Sequence, residues 1–363
     1  MSSLRLKFGG LLALVLCWSL LVVYLVTLLE WVPAPFAILQ NEPAVTTPTI
    51  ITTTTTLRPK AVPSPTSRAP PTEAGPRGEM ARVLIASDGT CLGGLVSAVN
   101  SVLLHTRRSV KFYIITTAEE LPHLKVWIEA TKLHKMTYEL HTLAALTRNI
   151  TGGLQHIKAH VPDLFPELWG RLVYLDCDVI VQGDIWELFT ADIRPGHYGA
   201  FSQNCIGPPV GGRAHYGAFV NLRHSALNGS QMNQEACPFA TGVFVANLTL
   251  WRWHDVPQRV QHWLKLHKRE KIVGSHPSAD AVEAAMLIVL YGKVTVLDPL
   301  WHVQHLGASY SSRYSKQFIE KAKLLHWNGR FKPWSHRAAH AEVWDRYYIP
   351  DPTAQFRPAR KRG

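Results

Sequence analysis

The sequence R-L-V-Y-L-D-C-D-V-I-V-Q-G-D, residues 171–184, decides the fold class of this 363-residue chain. Its apolar, β-rich beginning predicts a buried strand that stops at two carboxylates, Asp176 and Asp178. Alternate residues of a strand share a face, so both acids can converge on one ligand just past the strand end. Carboxylates suit Mg²⁺ or Mn²⁺, with a substrate diphosphate filling other positions. The stretch therefore predicts a metal–diphosphate anchor.

A solvated turn is the alternative interpretation, because short D-x-D strings arise by chance. The residues that follow favour the anchor. V-I-V resumes the strand pattern at once, and Asp184 then stands where it can cap a short helix after a glycine turn.

Strand and helix patterns alternate over the folded part of the chain. Apolar, β-rich patterns predict strands at 82–88, 110–116, 136–141, 198–202, 239–248 and 293–298. Helical spacing predicts helices at 92–104, 119–133, 251–267 and 278–290. Alternation of this kind predicts a largely parallel sheet with right-handed crossovers, whose ligands collect beyond the carboxyl ends of the strands. Asp88 and the Asp176/Asp178 pair both fall at such ends.

The glycine-rich run G-T-C-L-G-G, residues 89–94, follows the first strand. It lacks the Lys-Ser/Thr of a phosphate-binding P-loop and the G-x-G-x-x-G of a dinucleotide fold. We interpret it as a tight turn with close helix packing.

Two segments precede the folded domain. Residues 8–29 are apolar over a length that crosses a membrane as a helix, and the basic residues in 1–7 predict a cytosolic N-terminus. A cleaved signal peptide is the alternative. Residues 30–80 are rich in Pro and Thr and predict an extended, O-glycosylated lumenal stem. Golgi type II enzymes have this plan, as do many surface proteins.

The formal charge of +12 does not indicate a nucleic-acid partner, because the basic residues are scattered and no recognition motif accompanies them. The basic ends of the chain, including a predicted tail at 353–363, and a site for a polyanionic diphosphate account for it better. Sequons at Asn149, Asn228 and Asn247 are consistent with a lumenal domain.

The cysteines lack C-x-x-C spacing, which argues against a structural zinc site. An oxidising lumen permits disulfides, and we predict one between Cys205 and Cys237. It closes a loop of about thirty residues and contributes about 3 kcal/mol in the chain-entropy model. Cys177 lies between two expected metal ligands and Cys91 in a tight turn, so neither is expected to pair.

A second cluster of polar residues stands near the C-terminus, in L-H-W-N-G-R-F-K-P-W at 325–334. The spacing H-x-x-G-x-x-K supplies an imidazole ligand (His326), a glycine that lets a phosphate approach the backbone (Gly329) and a cation (Lys332). A packed aromatic turn with a surface lysine is the alternative interpretation.

A strand-end A-S-D at 86–88, the D-x-D and the late H-x-x-G-x-x-K occur in an order that resembles glycosyltransferase family 8 over residues 81–352. F-V-A-N-L-T, H-W-N-G-x-x-K-P-W and Y-I-P-D-P-T are similar to the family 8 domain-containing proteins of the vertebrate Golgi. The resemblance implies an α/β, Rossmann-like GT-A fold, with Mn²⁺ or Mg²⁺ and a UDP-sugar donor. It implies these metal ligands: Asp176, Asp178 and His326. It implies these donor contacts: Ala86, Asp88, Lys158, Gly329 and Lys332.

The chain departs from the family in the half of the site that holds the sugar. Family enzymes have Asn before the Gly of the G-V strand, where this chain reads F-A-T-G. Their Asp-Gln-Asp at a later helix start is replaced by S-A-D-A-V-E-A-A, in which Asp280 and Glu283 are the candidate substitutes. No residue is identified as a nucleophile, and the same two carboxyls are the candidate catalytic residues.

The resemblance predicts a metal-dependent, retaining transferase that moves a sugar from a UDP-sugar to an acceptor. One alternative is a catalytically silent Golgi protein that binds nucleotide or glycan as a scaffold. Another is a phosphatase that uses D-x-D as nucleophile and acid, which the mid-chain position of the motif disfavours.

Overall fold

The structure is a computed structural model that describes residues 80–146, 153–205, 214–276, 279–309, 314–335 and 337–359. The predicted anchor at 8–29, the stem up to residue 79 and the sequon at Asn149 lie outside the described residues. Within the described ranges, the helices are all too short or too polar to cross a membrane.

Nine strands are described. They are β1 Ala81–Ala86, β2 Val110–Thr116, β3 Thr137–Thr142, β4 Arg171–Leu175, β5 Val179–Val181, β6 Gly199–Gln203, β7 Phe239–Asn247, β8 Val294–Val296 and β9 Leu324–His326. Seven form one sheet in the order β3-β2-β1-β4-β7-β6-β8, while β5 and β9 form a separate pair. Within the large sheet β7 runs antiparallel to both of its neighbours, and the other pairings are parallel. The prediction of a mostly parallel α/β sheet is therefore confirmed.

Helices lie between the strands in the described part of the chain. They are α1 Leu92–His105, α2 Leu121–Glu129, α3 Leu143–Leu146, α4 Val161–Leu164, α5 Ile185–Phe189, α6 Tyr216–Phe219, α7 Leu248–Trp253, α8 Val256–His267, α9 Ala281–Val289, α10 Lys316–Lys321 and α11 Ala341–Asp345. Side-chain caps fix several starts: Asp184 accepts from the Trp186 amide (3.0 Å), and Asp280 accepts from the Glu283 amide (2.7 Å).

Strand β4 lies at the centre of the sheet and is buried on both faces. Leu172 and Tyr174 contribute to the hydrophobic cluster on one face, and Val173 and Leu175 to the cluster on the other. Burial of both faces explains why the strand reads as a continuous apolar run and not as an alternating pattern. The acid pair that follows β4 is thereby attached to the most buried part of the domain.

Two predicted helices are shorter than expected. The pattern at 251–267 splits between α7 and α8 at Asp255, whose φ is +50°. Pro257 follows in the first turn of α8, where its missing N–H costs nothing, whereas in a continuous helix its ring would clash with the preceding turn. The pattern at 119–133 yields α2 and then a 3₁₀ turn at Lys132–Lys135.

The folded domain continues past the predicted boundary at residue 352. The Phe356 ring lies 5.7 Å from that of Trp127 between centroids, and the Ala359 amide donates to the Trp334 carbonyl at 2.8 Å. The Asp351 carboxylate supports this segment, because it accepts from the Phe356 amide at 2.7 Å. The start of the predicted tail is therefore part of the domain.

Candidate metal and diphosphate site

The two halves of the predicted site meet through the pairing of β5 with β9. Val179 pairs antiparallel with His326, which places the imidazole beside the acid pair that ends β4. The Trp327 amide also donates to the Asp178 carbonyl at 3.0 Å. Residues separated by almost 150 positions in sequence are thus fixed together by backbone hydrogen bonds.

The ligand atoms of Asp176, Asp178 and His326 all lie within 4.8 Å of one another. His326 Nε2 is 2.9 Å from Asp178 Oδ1 and 3.7 Å from Asp176 Oδ2. Lys332 Nζ donates to Asp178 Oδ2 at 2.5 Å and to the Trp327 carbonyl at 3.1 Å. Two carboxylates and an imidazole are a donor set that Mn²⁺ accepts.

The two carboxyl groups have opposite pKa shifts. Burial raises the pKa of Asp176, although the charges of Lys158 and His326 act against this shift. Burial also opposes ionisation of Asp178, but His326 and Lys332 outweigh it and hold the pKa of that carboxyl well below its usual range. Asp178 is therefore anionic at neutral pH.

Gly242 in β7 leaves the space that Asp176 and His326 fill. A Cβ at this position would lie 2.6 Å from Asp176 Oδ2 and 2.6 Å from His326 Cε1. The Gly242 carbonyl also accepts from the Asp176 amide at 2.9 Å. The donor set and the missing side chain at Gly242 both fit a divalent ion held by Asp176, Asp178 and His326.

Lys158 is also brought to this site. It lies in a 3₁₀ turn, Leu154–Ala159, is 8% exposed and donates to Thr241 Oγ1 at 3.0 Å, one residue before Gly242. The charge of Lys158 acts on both Asp176 and Glu283. Burial raises the pKa of Glu283 to about 8, so this carboxyl is mostly uncharged at neutral pH.

The remaining predicted contacts have structural roles of their own. Asp88 accepts from the Thr90 amide at 3.0 Å and caps the 3₁₀ turn Gly89–Cys91, two residues after β1 ends at Ala86. Asp280 is exposed and caps α9. Gly329 has φ of +120°, and a Cβ there would lie 2.6 Å from the Gly307 carbonyl oxygen. The packing of two backbones therefore requires glycine at this position.

Several residues of the site were missed from the sequence. Tyr174 donates to Asp176 Oδ1 at 2.9 Å, a contact that strand periodicity could have indicated because the two residues share a face. His302 lies 2.7 Å from His326 Nδ1, and Ser202 lies beyond it. Burial lowers the pKa of His302 well below its usual value. Nothing in the local sequence pairs His302 with His326.

The structure contains the predicted Cys205–Cys237 disulfide and a second one, Cys91–Cys177. The expectation that Cys91 and Cys177 stay unpaired is wrong, because the first turn of α1 packs against the D-x-D turn. A Cβ at Gly94 would lie 2.5 Å from the Cys177 carbonyl oxygen. The bond ties the start of α1 to the residue between the two acids.

Of the two described sequons, Asn228 is exposed. Asn247 is partly buried, and its side-chain oxygen accepts from the Leu250 amide at 3.1 Å as the cap of α7.

The sequence profile of glycosyl transferase family 8 matches residues 82–338, which include the D-x-D, Gly242, His326 and Lys332. The chain belongs to this family. The predicted family is therefore confirmed. Glycosyltransferase 8 domain-containing protein 1 of Xenopus tropicalis is 41% identical over 314 residues, which cover 81% of this chain and 83% of that protein.

Two solved structures are similar in fold. The apo structure of the bifunctional glycosyltransferase WbbM matches with a TM-score of 0.57 and 17% identity, over 77% of this chain and 51% of that chain. The galactosyltransferase LgtC, in complex with donor and acceptor sugar analogs, matches with a TM-score of 0.51 and 17% identity, over 74% of this chain and 98% of that chain. The family and the fold together identify a glycosyltransferase domain with a GT-A-like sheet.

Gly242→Ala tests whether the gap beside the acid pair is needed. We expect Mn²⁺ affinity measured by calorimetry to fall by at least tenfold, because the new methyl group displaces Asp176 or His326. The control is Gly153→Ala, whose methyl group meets only the flexible end of Gln155. Equal affinities for Gly242→Ala and wild type would contradict the assignment.

Replacing the two disulfides separately with serine pairs tests their roles. The Cys91–Cys177 loop spans 86 residues and the Cys205–Cys237 loop 32, so loss of the first costs roughly 1 kcal/mol more unfolding free energy in the chain-entropy model. We expect only the first replacement to weaken Mn²⁺ binding as well. Denaturant unfolding measures the loss of stability, and calorimetry measures the Mn²⁺ affinity. An equal loss of Mn²⁺ affinity in both variants would contradict a specific role of the Cys91–Cys177 disulfide in the metal site.

Proposed function

We propose that this protein is a metal-dependent, retaining glycosyltransferase that moves a sugar from a UDP-sugar to an acceptor. The observation that carries the proposal is the convergence of Asp176, Asp178 and His326, with Lys332 bonded to Asp178. Membership of family 8 and similarity to solved glycosyltransferases support the reaction class. The donor, the metal ion and retention at the anomeric carbon are parts of this proposal.

The proposed binding of the diphosphate rests on a cation held at the acid pair and on the ammonium group of Lys332. The two carboxylates and His326 would hold Mn²⁺ or Mg²⁺, which supplies Lewis-acid stabilisation of charge on the leaving diphosphate. Lys332 adds a fixed ammonium group beside Asp178. Ala86 ends the neighbouring strand β1 and Asp88 follows two residues later, where the family resemblance puts the nucleotide.

Lys158 and Glu283 are the groups left to hold the donor sugar. The ammonium group of Lys158 is buried beside Thr241, and its charge acts on Glu283. An uncharged carboxyl both donates and accepts hydrogen bonds, as a sugar hydroxyl requires. Neither residue is a proposed nucleophile.

A second candidate function is a catalytically silent scaffold that binds nucleotide or glycan. The observation that favours it is the role of Asp280. Of the two carboxyls in S-A-D-A-V-E-A-A, this one is exposed and engaged by the Glu283 amide as a helix cap. Donor hydrolysis by the purified protein distinguishes the two functions, and a panel of UDP-sugars with Mn²⁺ is the experiment that tests them.

Asp178→Ala should remove most of the affinity for UDP in the presence of Mn²⁺, since it deletes the anionic ligand bonded to both His326 and Lys332. Asp192→Ala, which changes an exposed carboxylate elsewhere, is the matched control. Calorimetry with and without Mn²⁺ measures both. Tight UDP binding that is independent of the metal would show that the site is wrongly assigned.

UDP-sugars should bind little better than UDP, and hydrolysis without the true acceptor should be slow. Ala240 and S-A-D-A-V-E-A-A replace groups that the family uses for sugar hydroxyls, and each hydrogen bond to a charged group contributes about 1.5–3 kcal/mol. Competition calorimetry compares UDP with each UDP-sugar. A UDP-sugar that binds a hundredfold tighter than UDP would show that other residues have replaced the missing sugar-binding groups.

We also propose that the protein is a Golgi type II membrane protein with its catalytic domain in the lumen. The support is the apolar stretch at 8–29, the basic residues before it and the Pro/Thr-rich stem after it. The protein should retain residue 1 and stay with membranes in alkaline carbonate. A soluble intracellular form that begins near residue 35 as the main species would overturn the topology.

A further inference from the structure

Two buried side chains continue the candidate metal site inward from His326. His302 Nε2 lies 2.7 Å from His326 Nδ1, and His302 Nδ1 lies 2.5 Å from Ser202 Oγ. The exposed fractions of Ser202, His302 and His326 are 2%, 4% and 3%. The imidazole rings are nearly parallel, with an interplanar angle of 16° and centroids 5.0 Å apart.

The chain of hydrogen bonds can run in either of two directions. A serine hydroxyl donates or accepts, and each neutral imidazole has one donor and one acceptor nitrogen. If Ser202 donates, the proton of His302 lies on Nε2 and that of His326 on Nε2 as well. His326 Nε2, which lies 2.9 Å from Asp178 Oδ1, then carries a proton and has no lone pair for a metal ion.

The opposite direction leaves His326 free to bind a metal ion. A histidine ligand binds through a nitrogen that carries a lone pair, and its other nitrogen holds the proton. His326 Nδ1–H then donates to His302 Nε2, and His302 Nδ1–H donates to Ser202 Oγ. The lone pair of His326 Nε2 now points towards Asp176 and Asp178.

We propose that His302 and Ser202 are positioning residues for His326, which hold its ring and keep its proton on Nδ1 so that Nε2 can bind a divalent cation. This role rests on the proposed metal-dependent function. His302 supplies the acceptor, and Ser202 supplies the second bond that keeps the proton of His302 on Nδ1. Burial strengthens the effect, because an Nδ1–H without a partner would have no water to accept its hydrogen bond.

The test compares substitutions that keep or remove the acceptor. His302→Leu removes the acceptor, and we expect the Mn²⁺ affinity of the full-length protein to fall tenfold to a hundredfold. Loss of the hydrogen-bond partner of a metal-binding histidine generally has an effect of this size. His302→Gln keeps an amide oxygen for His326 and an amide N–H for Ser202, so it should retain most of the affinity. Ser202→Ala should lower the affinity by less than His302→Leu.

The controls are buried side chains of the same types at other places. Ser97 donates to the Gly93 carbonyl within α1, and His224 lies beside Glu270. Ser97→Ala and His224→Gln should leave Mn²⁺ affinity unchanged. Calorimetry in the presence of UDP gives the affinities, and thermal unfolding checks that each variant is folded.

A second measurement does not depend on the affinity. Ring-nitrogen NMR shifts of ¹⁵N-labelled histidines in the metal-free full-length protein should show that His326 carries its proton on Nδ1 in wild type and loses this preference in Ser202→Ala. The shifts keep the proposal testable if His302→Leu does not fold.

The outcomes separate the positioning role from the proposed function. Unchanged Mn²⁺ affinity in folded His302→Leu overturns the positioning role alone, and so does a His326 proton on Nε2 in the metal-free protein. A wild-type protein that binds neither Mn²⁺ nor Mg²⁺ overturns the metal-dependent function together with it. Loss of affinity in His302→Leu, with retention in His302→Gln, supports the role.

Discussion

The antiparallel pairing of β5 with β9 is the constraint on which the site depends. The Val179–His326 pair and the bond from the Trp327 amide to the Asp178 carbonyl leave the imidazole little freedom to move from the acid pair. A ligand set assembled on hydrogen-bonded strands has little conformational entropy to lose when a cation binds. The buried centre of the sheet then fixes the acid pair itself, through β4.

The first turn of α1 joins the end of β1, where the nucleotide is proposed to bind, to the candidate metal ligands. Gly94 lets the D-x-D turn and the Trp334 ring approach the helix, and the Cys91–Cys177 disulfide bonds the same two segments covalently. The neighbouring Gly93 receives the Phe356 ring in the same way, because its Cβ would lie 2.2 Å from ring atoms. The glycines of L-G-G therefore have a packing role, as their sequence context indicated.

Electrostatics divides the site into two parts with different properties. Asp178, between His326 and Lys332, is held as an anion, whereas burial favours the protonated forms of Asp176 and Glu283. A cation that enters therefore meets one fixed negative charge and one carboxyl that ionises more readily once the cation is present. The charge of Lys158 opposes the effect of burial on Asp176 and Glu283, because it favours their ionised forms and lowers both pKa values.

The sequence by itself determined the α/β class, most strand positions, the family and the residues of D-x-D and H-x-x-G-x-x-K, because these depend on local periodicity and on short spacings. The tertiary structure alone decided which distant groups meet: Cys91 with Cys177, His302 with His326, and Gly242 against the candidate ligands. It also divided the helix pattern at Asp255, where a left-handed residue and a proline interrupt an otherwise amphipathic run. Contacts of this kind arise from the crossing of strands and helices far apart in the chain, and local patterns of apolar and polar residues do not record such crossings.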